Sequence, residues 1–133
     1  MINIIDKRVT NFYFTYIVIP SIENSIDSEI GNERENVAFV CQSVGEPVPN
    51  ISWYFNGVMI NVSDNSSKYM IVSRSLNMTT TENTLTVYNV TSSDVGTYTC
   101  NSSNIIGSVT SSGILTVTSK INLIMFVTYI HYN

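Results

Sequence analysis

At 133 residues, 44% of them hydrophobic, the chain is long enough for one packed core and too short for two β-sandwiches. Its net charge of −4, with only six lysines and arginines and those scattered, excludes a nucleic-acid surface, which needs clustered cations. Two cysteines are too few for a structural zinc site.

In chain order, residues 1–18 form an N-terminal extension. Phe12 to Ile19 follows Lys7 and Arg8, the order of a secretory signal, but the run is short, rich in tyrosine and without a small-residue cleavage site. It reads as a leader or an extended strand. A domain is expected over residues 19–119, made of short strand signals with no helical period. The first strand falls over Ile17 to Ile22, where Pro20 is tolerated if the strand lies at a sheet edge. Asn24 to Glu35 is a polar, acidic stretch. Val37 to Val44 and Ile51 to Phe55 follow, separated by the Gly45-Glu46-Pro47-Val48-Pro49 turn. Asn56-Gly57 predicts a tight hairpin into Val58 to Ile60. Tyr69 to Ser73, Thr84 to Tyr88, Gly96 to Ser102 and Val109 to Thr118 complete the set. Residues 120–133 form an apolar tail. Its run Ile121 to Ile130 is about half the roughly twenty residues that cross a bilayer, so it reads as a truncated membrane segment or a tail foreign to the mature protein. The chain reads as a fragment of a larger protein or a poorly bounded gene product, and membrane attachment is expected only through a parent protein.

Alternation places Val37, Phe39 and Cys41 on one face of their strand and Ile51, Trp53 and Phe55 on one face of the next. Both apolar faces need a cover, which two sheets packed about 10 Å apart supply to each other. Trp53 stands twelve residues after Cys41, and Tyr98 two before Cys100 in Asp94-Val95-Gly96-Thr97-Tyr98-Thr99-Cys100. This spacing resembles the immunoglobulin superfamily. The Gly45 to Pro49 turn leading to Trp53, the 46 residues between Trp53 and Cys100, and the Asn104-Ile105-Ile106-Gly107 turn before Leu115 and Val117 resemble its intermediate set, or I-set. The one visible departure is Ser102, at a position commonly alanine.

The resemblance implies an all-β fold, an immunoglobulin-like two-sheet Greek-key sandwich of I-set type. It implies a Cys41–Cys100 disulfide, a structural core holding Trp53, Tyr98 and Leu85, and a bond from the Tyr98 phenol to backbone near Asp94, with Gly96 permitting a tight turn there. The Asp94 carboxylate is expected to meet Lys68 or Arg74. A disulfide places the chain in an oxidising compartment, extracellular or at the cell surface by the secretory pathway.

Six Asn-x-Ser/Thr sequons make Asn50, Asn61, Asn65, Asn77, Asn89 and Asn101 glycosylation candidates, against about four expected from composition alone. If Trp53 and Cys100 face inward, Asn50 and Asn101 face outward from neighbouring strands, and glycans on both would screen that sheet. Contacts would then move to loops or to the opposite sheet.

No catalytic residue is assigned. His131 is alone in the tail, phosphate-loop and nucleophile-elbow motifs are absent from the sequence, and the acidic set Glu23, Asp27, Glu29, Glu33 and Glu35 lacks a calcium-loop pattern. No cofactor and no metal are expected. The leading reading is a non-catalytic extracellular module of an adhesion or receptor protein that binds a protein partner, homophilic or heterophilic, through a sheet face or loop end. The alternatives are a spacer in an extracellular-matrix protein with many such domains, or an intracellular muscle-type domain.

Overall fold

The computed structural model describes residues 16–63 and 67–119. The expectations for the leader before residue 16, for the tail 120–133 and for Asn65 lie outside them. Alternating burial turns Val37, Phe39, Cys41 and Ser43 inward from β3 (Val37–Glu46), and Asn83, Leu85 and Val87 inward from β7 (Thr80–Val87). Opposite them, β4 (Asn50–Phe55) presents Ile51 and Trp53, β8 (Gly96–Ser103) presents Tyr98, Cys100 and Ser102, and β9 (Ser108–Thr118) presents Leu115. With β1 (Val18–Asn24) and β6 (Tyr69–Ser75) the first pair forms a four-stranded sheet in the order β1-β3-β7-β6. With β2 (Glu29–Asn32) and β5 (Val58–Met59) the other three form a five-stranded sheet in the order β2-β9-β8-β4-β5. The fold is an all-β immunoglobulin-like Greek-key sandwich, and its core lies between the two sheets.

Phe39, Trp53 and Tyr98 form the aromatic centre. Phe39 and Tyr98 are stacked with ring centroids 4.9 Å apart, and Trp53 lies 6.5 Å from Phe39. Cys41 and Cys100 are joined by a disulfide across the sheets, and both are fully buried. Two residues further along each strand, the Ser43 and Ser102 hydroxyls hydrogen-bond each other at 2.5 Å, and Ser43 also donates to the Ser21 carbonyl. The serine at the position where the resemblance leads one to expect alanine therefore has a buried partner, which satisfies a hydroxyl that would otherwise cost free energy on burial.

The hairpin at Asn56-Gly57 has positive φ at both residues, 46° and 81°, the twist that suits a two-residue turn between strands. Pro20 lies in β1 at the edge of its sheet, where the pairing with β3 shifts register between Val18 and Ser21, so the missing N–H breaks no regular ladder.

The polar stretch Asn24 to Glu35 contains a strand that the sequence does not signal. The chain leaves the four-stranded sheet after Asn24, tucks Ile26 into the core, and pairs β2 with β9, the one parallel pairing among the described residues. The crossing is held by Ile26 N–H to Ser111 Oγ and Ile114 N–H to Ser28 Oγ, at 2.9 and 3.0 Å. Gly113 lies beneath it, where an added Cβ would come within 2.5 Å of the Asp27 carbonyl oxygen. Only glycine leaves room for that backbone approach.

Candidate functional site

The connection from β7 to β8 is pinned by Asp94 and Tyr98. Tyr98, fully buried, donates its phenol to the Asp94 carbonyl at 2.9 Å. Asp94 closes the short 3-10 turn Ser92–Asp94: its Oδ2 accepts from the Thr91 N–H at 2.8 Å, and its own N–H donates to the Thr91 carbonyl. The same oxygen meets Lys68 Nζ at 2.5 Å, and that ammonium also donates to the Asn89 carbonyl. Of the two cations expected near Asp94, Lys68 is the one in contact, while Arg74 pairs with Glu82 across β6 and β7. A buried carboxylate committed to backbone and to a lysine is a fastening, which ties the start of β6 to the turn before β8.

Gly96 needs a different explanation from the one the sequence suggests. It does not have positive φ. A Cβ there would lie 2.6 Å from Asn56 Oδ1 and 2.7 Å from the Phe55 ring, and that Oδ1 accepts the Thr97 N–H at 2.9 Å. Gly96 supplies space for the β4–β5 hairpin to dock on β8.

Burial, then the neighbouring Tyr69 phenol and the Asp94 carboxylate, raise the Tyr98 phenol above its ordinary value; burial and Asp94 act in the same direction on Tyr69. A raised folded-state value favours the protonated phenol. Its contribution to stability is fully present below the unfolded-state value of about 10 and is lost as pH rises from there toward the folded-state value. Tyr98→Phe is expected to cost about 1–3 kcal/mol at neutral pH, since the buried Asp94 carbonyl loses its donor. It should also flatten the fall in stability above about pH 10. Denaturant titrations of both proteins from pH 7 to 11 check this; parallel alkaline limbs would contradict it.

The sequon asparagines spread over one sheet and the loops. Asn50 and Asn101 lie on the outward side of adjacent β4 and β8, where Asn101 pairs with Ser52 and Asn50 with Ser103. Asn50 is exposed, but Asn101 is half-buried, and its Oδ1 is buried without a hydrogen-bond partner. Asn61, Asn77 and Asn89 are exposed in loops. Asn77 Oδ1 caps the β6–β7 turn by accepting from the Thr79 N–H, the Thr79 hydroxyl and the Thr80 N–H. All five leave the side-chain amide nitrogen without a protein partner among the described residues. Outside sequons, Asn24, Asn32, Asn83 and Asn104 each donate through theirs, while Asn36 and Asn56 bond only as acceptors through Oδ1.

The two outer sheet faces differ. On the four-stranded sheet, Ala38–Thr86–Met70 and Val40–Thr84–Val72 form two cross-strand rows, followed by the polar row Gln42–Glu82–Arg74. Val40, Met70 and Val72 are 42–44% exposed. The central outward positions of the five-stranded sheet are serine, threonine and asparagine, with Tyr54 as the aromatic beside them. No cluster of metal-ligating side chains occurs among the described residues, and no helix among them is long and apolar enough to cross a membrane.

A cross-sheet disulfide beside a buried tryptophan, with a tyrosine fastened to the turn before its strand, defines an immunoglobulin-type domain. The family description "Immunoglobulin domain" matches residues 19–104, and the chain belongs to that family. It is 36% identical over 77 residues to Neuroglian of Drosophila melanogaster, covering 58% of this chain and 5% of that protein. To "Cell adhesion molecule-related/down-regulated by oncogenes" of Xenopus laevis it is 39% identical over 61 residues, 44% of this chain and 5% of the relative. Among solved structures, titin M4 superposes with a TM-score of 0.67 at 25% identity, covering 78% of this chain and all of that one. The chain thus spans about a twentieth of the curated relatives named here.

Proposed function

We propose that the chain is a non-catalytic, intermediate-set immunoglobulin module of a cell-surface adhesion or receptor protein, folded over residues 19–119, exported through the secretory pathway and engaged in protein–protein recognition. The observation that carries the reading is the combination of a buried cross-sheet disulfide with sequon asparagines of which four, Asn50, Asn61, Asn77 and Asn89, are exposed. The likeness to a cell-adhesion-molecule-related protein supports it. An enzyme is disfavoured by the site itself: Asp94, the buried carboxylate, is occupied by Thr91 and Lys68.

A second reading, a load-bearing spacer or muscle-type domain, is favoured by the likeness to titin M4. The two separate in one experiment on the parent protein. The module is exchanged for an unrelated sandwich of the same length, and partner binding is measured alongside surface labelling of unpermeabilised cells. Recognition predicts retained surface labelling with binding lost; retained binding identifies a spacer. Labelling only after permeabilisation, with Cys41 and Cys100 reactive toward maleimide, identifies the intracellular reading.

A further inference from the structure

We propose that Asn101 carries an N-linked glycan whose first sugar is seated on the outer face of the five-stranded sheet, in a groove beside Tyr54. The proposal rests on export through the secretory pathway and goes beyond it by assigning one modification site and the surface that holds the sugar.

Asn101 differs from the other described sequon asparagines in sitting at the middle of a sheet. Ser52 on β4 and Thr110 on β9 flank it directly, and both are small. Tyr54 is the diagonal neighbour, opposite Thr99 one outward position along, close enough for an aromatic side chain to reach. Together Tyr54, Gly57, Thr99, Asn101 and Thr110 line a shallow groove, open on one side, whose surface is mostly carbon. The outward positions of β4, β8 and β9 carry no charged side chain, although the chain as a whole is acidic. A neutral, weakly hydrated trough with one aromatic wall suits a pyranose ring, which sets its C–H face against the phenol ring and its hydroxyls among serines and threonines.

The orphaned oxygen points the same way. Asn101 Oδ1 is buried with no partner, and a buried acceptor left unpaired forfeits the hydrogen bonds that water would have given it. A linked N-acetylglucosamine brings an acetamido N–H and hydroxyl donors to that position. Attachment forms a bond between Asn101 Nδ2 and the anomeric carbon. It breaks that carbon's bond to the diphosphate of a lipid-linked oligosaccharide donor; the diphosphate leaves with the electron pair, and Nδ2 gives up one of its two hydrogens as a proton, which balances the charge gained by the departing diphosphate. Because Asn101 lies half-buried between paired strands, the transfer takes place before β8 is enclosed, and the folded sheet then closes around the linkage.

The test uses the chain secreted from eukaryotic cells and the same chain made in bacteria, each as parent, Ser103→Ala, Tyr54→Ala and the double variant. Ser103→Ala abolishes the sequon without touching Asn101. Glycopeptide mass spectrometry should find Asn101 occupied in the parent. Trimming glycans to the first sugar should leave the melting temperature unchanged, whereas Ser103→Ala in the secreted protein should lower it by several degrees. In the Tyr54→Ala background the same sequon loss should have no effect, and in bacterial protein Ser103→Ala should be neutral. Asn101 bare while other sequons are occupied overturns the proposal and leaves the extracellular reading intact. Equal effects of the sugar with and without Tyr54 overturn the seat. A secreted chain bare at every sequon overturns the proposal and removes the main support for the extracellular reading.

Discussion

Replacing Trp53 with alanine is expected to destabilise the domain by about 3–5 kcal/mol, the range for large aromatic truncations in a packed core. Trp53 is 1% exposed and packs beside Phe39 between the sheets. Its indole N–H also donates to Asn83 Oδ1 at 2.7 Å, and Asn83 Nδ2 in turn donates to Ser73 Oγ at 2.6 Å. The indole is therefore the first link of a polar chain from β4 through β7 to β6. Truncation opens a cavity and orphans a buried acceptor at once, two losses that add. Since domains of this size hold only about 5–15 kcal/mol in total, the variant should lose a large share of its stability and melt well below the parent. Trp53→Phe separates the terms: it keeps most of the volume, abandons Asn83, and should fall between parent and alanine. Guanidinium denaturation of the three proteins measures the order. An alanine variant melting within a degree or two of the parent would place the indole outside the core.

The Cys41→Ala, Cys100→Ala double variant should lose about 4 kcal/mol, because the bridge closes a loop with a sequence separation of 59. The mechanism differs from that of Trp53. The tryptophan acts through contacts in the folded state, whereas the cross-link acts mainly by narrowing the unfolded ensemble. The double variant should therefore show a steeper dependence on denaturant, since its unfolded chain exposes more surface. Changing both cysteines avoids leaving a buried lone thiol. A loss under about 1 kcal/mol would mean that the unfolded chain is already compact around these strands.

What the sequence revealed was what strand periodicity can encode. β3, β4 and β8 alternate cleanly, and one residue of inward parity fixes the direction of every other side chain in the strand. The Asn56-Gly57 turn was legible because two adjacent left-handed residues have a narrow chemistry. β2 was hidden: it is four residues long, its Ile30 is 76% exposed, and its pairing is dictated by β9 rather than by a pattern of its own. Gly96 was read as a turn glycine because sequence shows the absent side chain and not the Asn56 amide that fills its place.

Asn83 was missed as a core residue although its parity with Leu85 and Val87 held the signal. A polar residue in an inward slot announces a buried partner, and only the fold reveals that the partner is Trp53. Likewise, parity placed Asn101 outward, but its half-buried state follows from Tyr54 and Thr110 on the neighbouring strands. The function was legible to the level of class. Nothing in strand periodicity encodes a partner, because the residues that build the sandwich face away from its surface.

The parallel seam between β2 and β9 has a mechanical consequence. Tension arriving at Glu29 from the N-terminal side and at Thr118 from the C-terminal side pulls these strands along their common axis in opposite directions. Four paired positions, joined by the Glu33 N–H to the Thr118 carbonyl at 2.9 Å, are then loaded in shear and must yield together. A hairpin pulled from its open end gives way one bond at a time. Strung between neighbours, this module could give up the β1–β3 pairing first, and what remained would hold its length under load until the seam slipped as a unit.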